Sequence, residues 1–346
     1  MKQYVVFIKA FLIGVLLCMG TVGGINYYID PLWCFPGNNN AFNKSQAITA
    51  EQQQKTNKLY FDDKEYDTLI LGSSGVTFIK PAESWGDSYN YAGAGLWPAR
   101  YQEYVSFVKA KQSKPLKRIV IGLEFVETDY NSLVQRNDLS VNFIRNTKST
   151  AYRWKKLFSI DTLKLSYDNM QQSRKNNKGY RYGRDNIHYA LVRDRDDVNK
   201  SLVEDIAGYK RLYQKYSYNE EYKRYLMQLK KDNSDIEFII FTFPTSAPMI
   251  NSWKENGLWD NYERWLRDIT DVFGAVHHMQ WNSSFTNEWD NYQDSNHVNN
   301  KAGDKIVFAI EHPSEVDYDM ILTAGNIDEQ MPILQDNINQ EIKMRF

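Results

Sequence analysis

The sequence predicts an α/β protein built on a mostly parallel sheet, with one transmembrane helix at its amino end. Three short apolar runs, TLILG at Thr68 to Gly72, RIVIGLEFV at Arg118 to Val126 and IEFIIFTFP at Ile236 to Pro244, read as buried strands, the first running into a glycine and two serines as before a tight turn. Helix-like stretches precede the second and third runs, at Pro98 to Lys111 and Val203 to Lys231, and strands alternating with helices make βαβ units. The membrane helix is read from VVFIKAFLIGVLLCMGTVGGI, Val5 to Ile25, close to the ~20 residues that cross a bilayer core.

Lys9 interrupts that run near one end, where its ammonium can snorkel to the surface. Lys2 and Lys9 lie on the amino side, whereas the following NYYIDPLW has no positive charge and supplies Tyr27, Tyr28 and Trp33 as interfacial anchors. The positive-inside rule therefore expects a single-pass protein of a bacterial cytoplasmic membrane, its amino terminus in the cytoplasm and the rest in the periplasm or outside. Signal cleavage among the small residues Gly20 to Gly24 is the alternative. An uncleaved anchor is preferred because the run exceeds a signal core of roughly 7–15 residues. Leu17 is too bulky for lipoprotein processing at Cys18. With Cys18 inside the apolar run and Cys34 just beyond it, no disulfide is expected.

With 346 residues, 42% hydrophobic and 25% charged, the chain can bury a full core. The expected division is an anchor at 1–28, a linker or arm at 29–65, one α/β domain at 66–312 with an insertion at about 127–235, and a C-terminal extension at 313–346. The arm is assigned because Pro36 to Lys58 is polar and shows neither helical nor strand periodicity. Within the insertion, Tyr152 to Phe158 and Ser173 to Arg184 mix basic and aromatic residues, which suits either a groove for an acidic polymer or a solvated helical face. The 24 Tyr and 9 Trp likewise suit either sugar-binding surfaces or the core and its margins. A net charge of −1 gives no field for collecting nucleic acid, and no nucleic-acid partner is expected.

Serine-dependent acyl transfer needs a hydroxyl on a sharp turn, an imidazole to take its proton, a carboxylate to hold the imidazole, and donors for an oxyanion. LGSSG, Leu71 to Gly75, offers Ser73 and Ser74 between glycines at a strand end. It is not the G-x-S-x-G elbow, since Gly75 directly follows Ser74. DSNHVNNKAGDK puts Asp294 and His297 three residues apart on one segment leading into a helix at 299–311. A glycine loop, NYAGAG, falls between the two in the chain, and TFPTSAP, Thr242 to Pro248, is a strand-end loop expected near the cleft. His277 and His278 are neighbours that point in different directions, and no other His or Cys stands at ligand spacing. Neither a metal nor a cofactor is expected.

Together these blocks resemble the SGNH/GDSL hydrolase superfamily, and more narrowly its membrane-tethered members that modify exported polysaccharides, such as the alginate O-acetylation proteins. The likeness covers scattered blocks between Asp67 and Ile310, and NYYIDP, Asn26 to Pro31, is similar to the juxtamembrane region of such proteins. Gly72 to Ser74 stands at the G-D-S block, making Ser74 the nucleophile. Asn90 to Gly95 stands at N-x-x-x-x-G, so the backbone N–H groups of Ser74 and Gly95 would form the oxyanion hole. Asp294 and His297 would be the orienting acid and the general base.

The resemblance implies a flavodoxin-like three-layer sandwich and a serine-dependent transfer of an acyl group, acetyl first among them. The acceptor or donor would be a cell-surface or exported polysaccharide, as O-acyltransferase or as acetylesterase, and a membrane-bound O-acyltransferase partner is implied. Two positions depart from the pattern. Ser73 replaces the Asp of the first block, and Glu124, in GLEF at Gly122 to Phe125, replaces an Asn that donates to the oxyanion. An ionised Glu only accepts, and losing one oxyanion donor costs on the order of 10²–10³ in rate. Ser73, Asn90 and Glu124 are therefore expected to line the site, with Glu124 in another role. A catalytically weak SGNH-like module that binds polysaccharide and scaffolds an assembly is the alternative function; a lipid or carboxylester hydrolase is a third.

Overall fold

The apolar runs become the centre of a six-stranded sheet made of Thr68–Gly72 (β1), Ser88–Asn90 (β2), Arg118–Leu123 (β3), Glu237–Thr242 (β4), Ala275–His278 (β5) and Met320–Thr323 (β6). In the computed structural model, which describes residues 2–48, 50–131, 141–174, 181–191 and 193–339, the spatial order is β2-β1-β3-β4-β5-β6. The first five strands are parallel, and β6 closes one edge antiparallel to β5. Every residue of β1 is buried, as a parallel strand covered on both faces requires. Ile70, Val120 and Phe241 share one face with Ala302 and Ile306 of helix Asn300–Glu311. Leu69, Leu71, Ile119 and Ile121 alternate to the other face and are fully buried.

The sheet belongs to one of two compact units, Glu65–Ser140 with Ile187–Phe346. Several elements differ from the sequence expectation, each for a local reason. The strand begun at Arg118 stops at Leu123, because Glu124 and Glu127 form a reciprocal capping box that starts the 3₁₀ turn Phe125–Thr128. The helix expected from Val203 to Lys231 is two helices, Arg195–Tyr213 and Tyr222–Asp232. Between them the chain turns aside to pair with the segment after β3: Asn219 N donates to Thr128 O at 2.7 Å and Tyr130 N to Ser217 O at 2.8 Å. The C-terminal extension supplies β6 and helix Ile327–Asn339, which buries Ile327, Met331, Leu334 and Ile338; residues 340–346 lie outside the described residues.

The other unit, Met1–Lys64 with Val141–Asn186, contains the apolar helix Lys2–Ile29 and helices Glu51–Phe61, Val141–Lys148, Tyr152–Leu157 and Ile160–Arg174. Strand Ser45–Ala47 pairs antiparallel with Arg181–Gly183. The stretch read as one insertion is thus divided between the two units, and residues 175–180 of its basic aromatic segment lie outside the described residues. Among the described residues one helix, Gln3–Ile29, is long and apolar enough to cross a membrane. Cys18 and Cys34 are free thiols.

The segment expected to be a linker is a correction of substance. Helix Glu51–Phe61 buries Gln52, Gln53, Gln54, Thr56 and Asn57, whose amides and hydroxyl take the place of apolar side chains. Asn57 Nδ2 donates to Leu32 O at 2.8 Å, Gln54 Nε2 to Pro31 O at 2.7 Å, and Gln53 Nε2 to Thr147 Oγ1 at 2.7 Å. A buried ion pair, Arg184 to Asp30 at 2.9 Å, fastens the loop after the first helix, and Asp30 also accepts from the Cys34 and Phe35 amides. Burial pushes the Asp30 carboxyl up to about 6 in spite of Arg184. Satisfied polar groups can be buried without apolar periodicity, which is why the pattern was silent here.

Two glycines face each other across the central ladder, Gly72 of β1 and Gly122 of β3. A Cβ on Gly122 would lie 2.5 Å from Phe241 Cζ and 2.5 Å from Val76 Cγ2, so the bare backbone lets the turn after β1 lie against the sheet. Gly122→Ala is expected to destabilise the protein by about 1–3 kcal/mol, seen as a lower urea midpoint. Gly208→Ala, at a helix position with nothing within 4 Å, is expected to raise it.

Candidate active site

Ser74 follows the carboxyl end of β1 and leads into the 3₁₀ turn Gly75–Phe78 with helical backbone angles, φ −58° and ψ −33°. The turn is fixed from within, since Thr77 Oγ1 donates to Ser74 O at 2.6 Å. That hydroxyl has a single hydrogen, so it accepts from His188 Nδ1, 2.7 Å away, and the His188 ring stacks on Phe78 with centroids 4.0 Å apart. Asn90, at the end of β2, donates to Val76 O at 2.9 Å and to Ile79 O at 3.0 Å. It is a brace for the serine turn.

The structure brings Ser74, Asp294 and His297 together. Ser74 Oγ lies 2.8 Å from His297 Nε2, and His297 Nδ1 lies 2.9 Å from both Asp294 oxygens. An ionised carboxylate only accepts, so Nδ1 carries the proton and Nε2 is left to accept from the Ser74 hydroxyl. Asp294 also accepts from the amides of Asn296 at 2.9 Å and His297 at 2.8 Å. These bonds and His297 hold the Asp294 carboxyl below its usual range against the opposing effect of burial. For His297, burial favours the neutral ring, but the hydrogen bond and charge of Asp294, with Glu124 and Asp205 adding, outweigh it and raise its pKa above the ordinary value. The separations meet the hydrogen-bond reach that a nucleophile and a general base need, and the His297 side chain is 28% exposed.

The carboxylate and imidazole share a short hairpin, in which Gln293 N donates to His297 O at 3.0 Å and Tyr292 bridges Val298. Its tip is tied down from two directions. Ser246, in the loop after β4, donates to Ser295 O through Oγ at 2.7 Å and through its amide at 3.2 Å. From helix Arg195–Tyr213, Asp205 accepts from Ser295 Oγ at 2.6 Å and Tyr209 OH accepts from Asn296 Nδ2 at 3.0 Å. Thr77, His188, Asp205 and Tyr209 were not singled out by the sequence. Asp205 and Tyr209 stand one helical turn apart, a common spacing that signals nothing until the hairpin is seen against it.

Ser73 and Glu124, the two positions that depart from the motif pattern, are joined to each other: the Ser73 hydroxyl donates to Glu124 Oε1. The Glu124 side chain also accepts a backbone amide in its capping box. Glu124 thus anchors the strand-end turn. Gly95 sits in a tight turn with φ +69°, and its neighbour Gly93 donates to Gly72 O at 3.2 Å, which keeps the loop beside the end of β1. Among the described residues no hydrogen bond joins Gly95 to Ser74.

The adjacent histidines of β5 do diverge. His277 Nδ1 meets Asp319 at 2.7 Å, while His278 is buried beside Thr242 at 3.0 Å and Tyr262 at 3.2 Å; burial brings its pKa down to about 3. Among the described residues no group of three His, Cys, Asp or Glu is arranged to hold a metal ion. Compared with protein families, curated proteins and solved structures, the chain matches none.

Removing the Asp294 charge takes away the largest effect that raises the ring's pKa. In a histidine-selective NMR titration, His297 is expected to titrate above the ordinary 6.5 in the native protein and lower than that in Asp294→Asn.

Proposed function

We propose that this chain is a serine-dependent acyl-transfer enzyme of the SGNH/GDSL type, tethered to a bacterial cytoplasmic membrane, acting on an exported or cell-surface polysaccharide outside it. The observation that carries the reading is the continuous relay from Ser74 Oγ through His297 to Asp294, with separations of 2.8 and 2.9 Å. The strand order supports it. The first five strands run 2-1-3-4-5, the order of flavodoxin-like doubly wound sheets, and these bind ligands where the order reverses, between β1 and β3. Ser74 follows β1 and Glu124 follows β3, at that reversal.

In the proposed reaction His297 Nε2 takes the Ser74 proton as Oγ bonds to the acyl carbon. The protonated ring, held by Asp294, then returns the proton to the departing oxygen. A sugar hydroxyl or water, deprotonated by His297, attacks the acyl-serine and releases Ser74. The amides of Ser74 and Gly95 are the proposed donors to the oxyanion, a role that Glu124 cannot fill while ionised. The Ser73 and Glu124 departures compensate one another: the acid missing from the first block is provided from the end of β3.

Transfer is preferred to hydrolysis because a tethered enzyme beside export machinery can receive acyl groups from a membrane-bound O-acyltransferase partner. Lys2 and Lys9 before the apolar helix support an outside location for the remainder.

Incubation of the full chain with a small acetyl ester is expected to leave one acetyl group on Ser74, detected by peptide mass spectrometry, and to turn over. Ser74→Ala abolishes the adduct, and Asp294→Asn lowers kcat by on the order of 10⁴. Equal inertness of wild type and Ser74→Ala, with retention of glycan, would instead make the chain a polysaccharide-binding module.

Because neutral His297 is the active form, kcat/KM should rise with pH through its elevated pKa and fall away below it. A profile flat across that range would count against His297 as the base.

A further inference from the structure

Helix Ile160–Arg174 is inside out. The positions it buries are polar, Thr162, Ser166 and Asn169, one helical face, and the last two are hydrogen-bonded within its unit. Ser166 Oγ donates to Asn26 Oδ1 at 2.9 Å and Asn169 Nδ2 donates to Gln46 Oε1 at 2.5 Å. Leu165 packs inward against the cluster of Tyr152 and Leu157, but the other apolar residues, Ile160, Leu163, Tyr167 and Met170, also at helical spacing, lie on the outer side, with Ile160 58% and Tyr167 57% exposed. A helix folded against water buries the opposite stripe. Asp161 and Lys164 pair at 3.7 Å on the neighbouring, charged side, so the exterior of the helix is itself divided into an oily and a charged strip, the pattern of helices that lie in a bilayer interface.

The apolar strip, with Ser166 and the edge residues Lys164 and Asp168, is one wall of a groove of about 930 Å³, and Gly24, Ile25, Tyr28 and Ile29 of the first helix form the opposite wall, with Phe42 between. What lies in that groove follows from the first helix. It has 28 residues, about 42 Å at 1.5 Å each, against roughly 30 Å of hydrocarbon. Its surplus is at the carboxyl end, where Gly23, Asn26 and Ile29 are packed into the unit: Asn26 Nδ2 donates to Leu157 O and Ser159 O at 2.8 and 3.0 Å. A Cβ on Gly23 would lie 2.8 Å from the Phe158 ring. The groove therefore opens at the level of the headgroups, continuous with the lipid-facing surface of the membrane helix.

We propose that this groove takes an acyl chain of a phospholipid from the adjoining leaflet, with helix Ile160–Arg174 lying in the interface and its charged strip toward water. The inference rests on the reading that Gln3–Ile29 crosses the membrane, and goes beyond the proposed catalysis. The catalytic residues play no part in it.

The test is nitroxide labelling of the full chain in vesicles of phosphatidylethanolamine and phosphatidylglycerol, in a Cys18→Ala background, with collisional access to oxygen and to a water-soluble nickel chelate measured by power-saturation EPR. Labels at Leu163→Cys and Tyr167→Cys, and at Ile13→Cys within the membrane helix, are expected to show several-fold higher oxygen-to-nickel access than a label at the exposed Lys231→Cys. Should positions 163 and 167 behave like 231 while 13 remains lipid-like, the groove proposal falls and the membrane reading stands. If position 13 also meets the nickel chelate, both fall. Access denied to both reagents at 163 and 167 would mean that a protein segment fills the groove, and the lipid proposal falls in that case too. Tyr167 is exposed, so its replacement leaves folding intact even if Leu163→Cys does not.

Discussion

Burying an imidazole drains its affinity for a proton, and the Asp294 carboxylate against His297 is what restores it. The pair sits three residues apart on one hairpin, so its own geometry is local, but its usefulness is not. A ring and a carboxylate on a free loop would spend most of their time away from Ser74. Ser246 from the loop after β4, and Asp205 and Tyr209 from a helix, all grip the two residues between them, Ser295 and Asn296. The relay to Ser74 depends on that grip, and the larger unit can be understood as the means of supplying it.

The opposite partner is fixed just as firmly. Gly72 and Gly122 leave room for Val76 to settle over the paired strands, Thr77 and Asn90 bind the carbonyls of the turn, and Ser73 reaches across to Glu124. Glu124 has two jobs at once, capping the turn after β3 and holding the turn after β1. An asparagine there could donate to an oxyanion, whereas a carboxylate tied in this way gives rigidity in its place. On the proposed reading, one electrostatic donor is exchanged for a stiffer frame around Ser74.

The smaller unit follows a different economy of polarity. Amide side chains fill its interior at Gln53, Gln54 and Asn57, each donating to a carbonyl or hydroxyl, and the same inversion recurs in helix Ile160–Arg174. An outward apolar stripe is the reverse of what a helix packed against a core in water shows. It packs against the carboxyl end of the helix that is long and apolar enough to cross a membrane, and the two helices line one groove.

The sequence by itself determined what short-range chemistry can write. It gave strand cores as short apolar runs, a helix at Pro98–Lys111, the membrane-length apolar run, and the Ser74, Asp294 and His297 candidates from turn and loop motifs. It was silent or mistaken where burial is polar or pairing is long-range. The Pro36 to Lys58 stretch read as an arm because glutamine and asparagine carry no hydrophobic period, and helix Val203 to Lys231 read as one because the pull of Thr128 and Tyr130 on residues 217–219 comes from 90 residues away in the chain. Only the tertiary structure could decide that two departures from a motif, Ser73 and Glu124, answer each other, and that Asp205 and Tyr209 hold the hairpin. Hydrogen bonds between distant segments leave no period in either one, so neither segment alone can announce its partner.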